Sequence, residues 1–140
     1  MKILVAVDGS PYTKRMLAYL AAHDEWLVEG NQFTIVHSVT PVPARAAAVL
    51  DKALLKGYYD DEAEKVFKPI RTFFKKQGIE ASFVSKVGGA AEVISTTATK
   101  GDFDLLVMGS HGHGSLGNLV LGSVATKVMA HCKTPVLLVR

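Results

Sequence analysis

Apolar runs of strand length alternate along the chain with longer segments whose apolar residues recur at helical spacing. Parallel strands that are covered on both faces form nearly continuous apolar runs, and helices connect them. The pattern therefore predicts an α/β protein, in which residues 1–140 form a single domain around a doubly wound, five-stranded parallel sheet. The predicted strands are Lys2–Val7, Phe33–Val39, Ala81–Val87, Asp104–Met108 and Val136–Val139.

The first predicted helix begins just after the first apolar run ends. Ser10 can cap a helix, and Pro11 suits its first position because no backbone N–H is needed there. We expect this helix to extend towards Gly30. Its buried face is expected to carry Met16, Leu20 and Leu27.

The middle of the chain is predicted to be helical. The alanine-rich stretch 44–55 forms the next helix, either as a packed element or as a mobile lid. Gly57 is expected to separate it from a longer helix that reaches Gly78, with a kink at Pro69, which lacks a backbone donor. The last two helices are predicted over Ala90–Lys100 and from Val124 to about His131.

The composition is that of a compact folded domain, since 49% of the 140 residues are hydrophobic and 21% are charged. The first apolar run meets Asp8 before it reaches signal-peptide length, and no apolar run is long enough to span a membrane. We therefore expect a cytoplasmic protein that has no membrane partner. The single cysteine, Cys132, can form no disulfide within the chain, in agreement with a reducing compartment.

The charges are unevenly distributed along the chain. The net charge is +3, yet all 13 acidic residues lie at or before Asp104, and the tail after it carries Lys127, Lys133 and Arg140. This local excess of positive charge favours an anionic ligand. A nucleic-acid partner is not expected, because the chain has no dense stripe of lysine and arginine with interleaved aromatic residues.

A glycine-rich segment follows the fourth predicted strand and leads into the last helix. Gly109, Gly112 and Gly122 let backbone N–H groups approach an anion, and the start of the helix favours negative charge. The P-loop lysine is missing, and although residues 112–117 fit the Gly-x-Gly-x-x-Gly dinucleotide fingerprint, no ribose-binding acid follows them. The sequence therefore predicts a phosphate or nucleotide site of another kind.

Asp8 comes directly after the first predicted strand, and the glycine-rich segment comes directly after the fourth. If these two strands are neighbours, both segments face the crevice where the strand order of a parallel sheet reverses. Structural interpretations remain open, since Asp8 could hold the turn into the first helix and the glycines could serve close packing. His111 and His113 have no acidic or thiol partner nearby in sequence, so we expect them to face solvent or phosphate instead of a metal.

The spacing of the C-terminal glycines resembles the ATP-binding signature of universal stress proteins. Gly109 is followed after two residues by Gly112, and nine residues later by the pair Gly122 and Ser123. Further segments that are similar to this family are Val5–Ser10, Leu106–Gly112 and Thr134–Val139. The likeness covers nearly the whole chain. One departure is the run 115–118, where the family often carries a basic residue and this chain has none.

The resemblance implies an adenine-nucleotide α-hydrolase-like fold with strand order 3-2-1-4-5, in which ATP with Mg lies across the ends of strands one and four. Asp8 would sit beside the ribose or the metal-bound phosphates, and Val39 would offer backbone groups to adenine. Backbone amides at the start of the last helix would meet the phosphates. The nucleotide contacts implied there and along the strand-four loop are Met108, Gly109, Gly112, His113, Gly122, Ser123 and Val124.

The resemblance also implies a nucleotide-binding module of stress response or signalling, in which ATP changes the stability or the partner surface of a homodimer. The family dimerises through the last strand, and an apolar edge at Val136–Val139 would otherwise be open to pairing. The alternatives are a slow ATPase or adenylyl-transfer enzyme, and a dimeric scaffold with an empty site. No catalytic residue is assigned, because the loop offers no general base besides His111 and His113.

Overall fold

The computed structural model describes residues 1–114 and 120–140, and its core is a five-stranded, all-parallel sheet. The strands are β1 (Lys2–Ala6), β2 (Gln32–Val39), β3 (Ala81–Val87), β4 (Leu105–Gly109) and β5 (Val136–Val139). Their order across the sheet is β3-β2-β1-β4-β5, which confirms the predicted fold. The direction of winding changes between β1 and β4, so a crevice for ligands is expected at their carboxyl ends.

Helices cover both faces of the sheet. They are α1 (Pro11–Ala22), α2 (Ala44–Val49), α3 (Lys52–Lys76), α4 (Ala90–Lys100) and α5 (Ser123–His131). The odd-numbered core residues of β1 pack in one cluster with α1 and α3, and its even-numbered residues pack in another with α4 and α5. Successive side chains of a strand point to opposite faces, so these clusters are the two layers of the core.

The first helix is shorter than predicted. It ends at Ala22, and a separate 3-10 turn covers Asp24–Trp26, so the predicted continuation towards Gly30 is wrong. Helical geometry is lost at His23, whose ring Nδ1 donates to the backbone carbonyl four residues earlier at 2.9 Å. Leu27, beyond the turn, is still partly buried against the core. Its spacing therefore suits a helix followed by a turn as well as one long helix.

The predicted helix over 44–55 is divided into two, and the predicted boundary at Gly57 is wrong. The break lies between Val49 and Lys52, where the Asp51 carboxylate caps α3 by accepting the Ala53 N–H at 2.7 Å. Gly57 lies inside α3. A glycine in a helix interior costs about 1 kcal/mol, which a capping bond of similar size offsets before any burial is counted.

The remaining elements lie close to the predicted positions. β3, α4 and β5 have the predicted bounds, and the ends of the other strands differ by one residue. α3 continues through Pro69 to Lys76, and its buried face carries Ala63, Phe67, Ile70 and Phe74. Among residues 1–114 and 120–140, no helix is both long and apolar enough to cross a membrane.

Candidate functional site

The site is built where β1 and β4 end side by side. The two strands pair in parallel with Ala6 opposite Met108, so the residues that follow them leave the sheet at the same edge. A Cβ atom on Gly112 would lie only 2.7 Å from Oδ2 of Asp8. His113 closes the contact, since its Nε2 donates to the Asp8 carbonyl at 2.6 Å. The structure therefore confirms that Asp8 lies beside the glycine-rich loop at the ends of β1 and β4.

Asp8 holds the turn between β1 and α1. Its Oδ1 accepts hydrogen bonds from the Ser10 N–H at 2.9 Å and from the Thr13 hydroxyl at 3.0 Å. The turn also requires Gly9, which has a positive φ of 75°. Ser10 occupies the N-cap position as predicted, but its buried hydroxyl makes no hydrogen bond within the described residues, and the Asp8 carboxylate organises the turn instead. The structural role considered for Asp8 is thus real, and it uses Oδ1.

Gly109 and Gly122 are packed too closely against neighbouring atoms to carry side chains. A Cβ on Gly109 would fall 2.8 Å from Cβ of Tyr12, and one on Gly122 would fall 3.0 Å from Cα of His111. Neighbouring atoms would have to move in both cases, and at Gly122 the nearest atom belongs to the backbone. Close packing is therefore sufficient to explain why glycine stands at these positions. A role in admitting a phosphate is an additional function of the same geometry.

The N-terminus of α5 presents backbone amides that are not used within the helix. Gly122 is the N-cap residue, and its own N–H donates to the Ser110 carbonyl at 2.7 Å. Ser110 in turn donates its N–H to the Val139 carbonyl at 2.9 Å, which ties the loop to β5. The next amides, of Ser123 and Val124, belong to the first helical turn, where N–H groups have no intrahelical acceptor. An anion would find two donors and the positive end of the helix dipole there.

Val39 and Met108 contribute through their backbones. Val39 ends β2 and is 5% exposed, and its carbonyl already accepts the Gly88 N–H at 3.0 Å. A carbonyl oxygen has two lone pairs, so one remains for a further donor. Met108 is 4% exposed and its side chain packs in the cluster beneath α4 and α5, so only its backbone can meet a ligand at the crevice.

Aromatic and cationic groups that the sequence analysis did not single out border the loop. The ring of Tyr12 lies 5.1 Å from the ring of His111, and the guanidinium of Arg15 lies 4.8 Å from the Tyr12 ring. Spacing alone predicts that Tyr12 and Arg15 share a face of the helix, because they lie three residues apart, but it does not predict that this face meets the loop. Run 115–118, where the family often has its basic residue, lies outside the described residues.

A metal ion would find few protein ligands here. No group of three or more histidine, cysteine, aspartate or glutamate side chains comes together in the described part of the chain. His111 is engaged with Ser110, whose Oγ lies 2.9 Å from its Nδ1. Magnesium commonly binds through one or two carboxylates together with phosphate oxygens and water, and a single Asp8 carboxylate fits that pattern.

The fold and the crevice define a doubly wound α/β protein whose loop and helix start face the strand-order switch point. The family model of the universal stress protein family matches residues 1–140, and the chain belongs to this family. A universal stress protein of Thermus aquaticus is 36% identical over 138 residues, which span 99% of this chain and 97% of that protein.

Solved structures have the same fold. The protein MJ0577 superimposes with a TM-score of 0.83 at 25% identity, covering 99% of this chain and 94% of that one. The Archaeoglobus fulgidus universal stress protein in complex with dAMP matches with a TM-score of 0.70 at 24% identity, over 100% and 98% of the two chains. A family member from Arabidopsis thaliana with AMP bound has a TM-score of 0.70 at 16% identity, over 99% and 90%.

Proposed function

We propose that this protein binds ATP with Mg in the crevice between β1 and β4, and acts as a module of stress response or signalling. The observation that carries the proposal is the contact between Asp8 and the loop at Gly112, next to a helix that begins at Ser123. Together these groups supply a carboxylate for the ribose or metal and backbone donors for the phosphates. That combination of groups suits a nucleotide better than a simple anion.

Relatives of the same fold support an adenine nucleotide as the ligand. The Archaeoglobus fulgidus protein was solved with dAMP and the Arabidopsis thaliana protein with AMP. In this chain the phosphates would lie at the Ser123 and Val124 amides, and the ribose would lie along Gly109, Gly112 and Oδ2 of Asp8. Adenine would lie towards the end of β2, beside the Val39 backbone. The His113 ring would border the phosphate path while holding the loop on β1.

The proposed activity is binding, with at most weak ATP hydrolysis. Rapid hydrolysis needs a base within hydrogen-bond reach of the attacking water. Of the two loop histidines, His113 already donates its Nε2 proton to the Asp8 carbonyl, and His111 is engaged with Ser110 and packs on Tyr12. Mg-dependent turnover near 1 s⁻¹ that is lost in Asp8→Ala would favour the enzyme interpretation.

The proposal includes a homodimer that forms through β5. This strand pairs only with β4 in the described sheet, and Val136–Leu138 are half-buried. An open strand edge of this kind is a template for pairing with a second chain. Pairing there would connect the two crevices, because the loop of each chain is tied to Val139 through Ser110.

The phosphate contact can be tested by removing one backbone donor. Ser123→Pro deletes the first amide of α5, where proline is well tolerated, and Gly122 already has the extended geometry (φ −71°, ψ 163°) that suits the residue before a proline. We expect calorimetry to show that Mg-ATP binds about tenfold or more weakly, since a hydrogen bond to a charged group is worth about 1.5–3 kcal/mol.

Ser123→Ala is the matched control, because it removes the hydroxyl and keeps the amide. We expect its affinity for Mg-ATP to stay within a few-fold of the wild-type value. If Ser123→Pro folds, as judged by its circular dichroism and thermal unfolding, and binds Mg-ATP as tightly as Ser123→Ala, the proposed phosphate position is wrong.

A further inference from the structure

The segment that leaves the sheet after β2 is short and stiff. Residues 40–43, which connect Val39 to α2, include Pro41 and Pro43. Each proline fixes its own φ at about −65° and holds the residue before it in an extended conformation, so the segment has few conformations open to it. It directly follows the residue that the proposed function places beside adenine. The contacts that fix its path therefore shape the base end of the crevice.

Two hydrogen bonds hold the ends of this segment. At its start, the Val39 carbonyl accepts the Gly88 N–H at 3.0 Å, which ties the end of β2 to the residue after β3. At its other end, the Val42 N–H donates to the hydroxyl oxygen of Tyr59 at 2.9 Å. Because proline has no N–H, Thr40 and Val42 carry the two backbone donors of residues 40–43. Tyr59 engages one of them.

The other donor, the Thr40 N–H, points towards the crevice. In a trans peptide the C=O and the N–H point in opposite directions. The Val39 carbonyl is directed to the β3 side of β2, so the Thr40 N–H is directed to the β1 side, where β1 has already ended at Ala6. A donor there suits N1 of adenine, which is an acceptor. It disfavours guanine, whose N1 carries a proton.

Tyr59 is itself held in place by α3. Its ring is partly buried against the core cluster that α3 shares with β1 and α1. Val66 lies seven residues further along the same face of the helix, and a Cβ on Gly9 would be 3.4 Å from its Cγ2. α3 therefore connects the turn after β1, which carries Asp8, with the segment after β2.

We propose that Tyr59 is a positioning residue that makes the nucleotide site selective for adenine, an inference that rests on the proposed nucleotide function. Its hydroxyl oxygen holds the Val42 backbone, and the stiff segment 40–43 passes this restraint to the Thr40 N–H, which donates to N1 of the base. The phosphates bind elsewhere, at the start of α5. Loss of the Tyr59 hydroxyl should therefore weaken recognition of the base and leave phosphate binding unchanged.

The test compares Tyr59→Phe with the wild type in calorimetric titrations of Mg-ATP, Mg-GTP and Mg-tripolyphosphate. Phenylalanine keeps the partly buried ring and removes only the hydroxyl. We expect the affinity for Mg-ATP to fall about tenfold, the effect of one lost hydrogen bond, and the other two affinities to change by less than about twofold. Tyr58→Phe is the matched control, because Tyr58 is the exposed neighbour on the same helix, and it should leave all three affinities unchanged.

A purely structural role for Tyr59 would lower the three affinities together, in step with a lower Tm, and that result would overturn the proposal. An unchanged affinity for Mg-ATP in Tyr59→Phe, or an equal loss in Tyr58→Phe, would overturn it as well while leaving the proposed function intact. If the wild type binds tripolyphosphate but no ATP, the proposed function itself is wrong, and the role given to Tyr59 fails with it.

Discussion

At the scale of single residues, the candidate site depends on how Asp8 divides its carboxylate between two tasks. Oδ1 organises the turn into α1 through Ser10 and Thr13, while Oδ2 faces the loop at Gly112. One side chain thus connects the stability of the fold to the geometry of the crevice. Different substitutions of Asp8 should therefore affect the stability of the fold and the affinity for nucleotide to different extents.

Asp8→Ala removes both hydrogen bonds at the turn and should lower the free energy of unfolding by about 1–3 kcal/mol. Asp8→Asn keeps an oxygen acceptor and removes the charge, so its loss should be below about 1 kcal/mol. Both variants should bind Mg-ATP more weakly than the wild type. Urea denaturation and calorimetry measure the two quantities, and equal destabilisation by Ala and Asn would contradict the role given to Oδ1.

Gly112→Ala should disturb the crevice, whereas Gly114→Ala should not. The new Cβ at 112 would meet Oδ2 of Asp8 at 2.7 Å, whereas a Cβ at 114 has no neighbour within 4 Å among the described residues. We expect the first variant to lose about 1–3 kcal/mol of stability and tenfold or more in nucleotide affinity.

Gly114→Ala should match the wild type in the free energy of unfolding and in the free energy of nucleotide binding, each to within about 0.5 kcal/mol. If the two alanine variants behaved alike in denaturation and in nucleotide titration, the close contact between residue 112 and Oδ2 of Asp8 would not be important for stability or for nucleotide binding.

Asp8 and the glycines could be identified from the sequence because aspartate and glycine are favoured in turns and because these residues directly follow apolar runs that predict strands. Tyr12 and Arg15 could not be identified in this way. They lie on an ordinary amphipathic helix, and only the packing of that helix against Gly109 brings them to the loop. The phosphate role of the Ser123 amide stays a prediction.

At the scale of elements, the strands were predictable and the boundaries of the helices were less so. A buried parallel strand is an almost continuous apolar run, so its ends are visible in the sequence to about one residue. The boundary between α2 and α3 depends instead on a local hydrogen bond. The Asp51 carboxylate accepts a backbone N–H at the start of α3, so the helix begins there and not at Gly57, which lies inside it.

Pro69 should cost stability where it stands. It lies in the interior of α3, where it cannot donate the hydrogen bond to the carbonyl four residues earlier. Pro69→Ala should therefore raise the free energy of unfolding by about 1–3 kcal/mol, part of the gain being offset by the greater freedom of the unfolded chain. Lys68→Ala, an exposed neighbour, should change it by less than about 0.5 kcal/mol in the same urea denaturation.

A loss of stability in Pro69→Ala would contradict this account. It would indicate that the proline shapes α3 so that the buried residues beside it, Phe67 and Ile70, reach the sheet.

At the scale of the whole molecule, the sheet has two open edges and they differ in character. β3 is an exposed edge with Lys86 and two serines, whereas β5 is short and apolar. Charged residues protect an edge from pairing, and apolar ones do not. The β5 edge is therefore the one expected to pair with a second chain.

Leu138→Pro should convert the proposed dimer into a monomer. The carbonyls of Pro135 and Val139 accept hydrogen bonds from the N–H groups of Leu106 in β4 and of Ser110 just after it. The alternation of a parallel ladder therefore directs the Leu138 N–H towards the open edge. Proline removes that donor, whereas Leu138→Ala keeps it and truncates only the side chain. Analytical ultracentrifugation at high micromolar concentration should find Leu138→Ala dimeric and Leu138→Pro monomeric, and a monomeric wild type would remove the proposal.

The measurement that tests the central claim most directly is a calorimetric titration of Mg-ATP, ADP and AMP into wild-type protein from which any carried small molecule has been removed. We predict saturable binding of about one nucleotide per chain, with a matching increase in thermal stability. Absence of binding and of stabilisation at millimolar nucleotide would contradict the claim, and it would leave the crevice between β1 and β4 as the empty site of a scaffold.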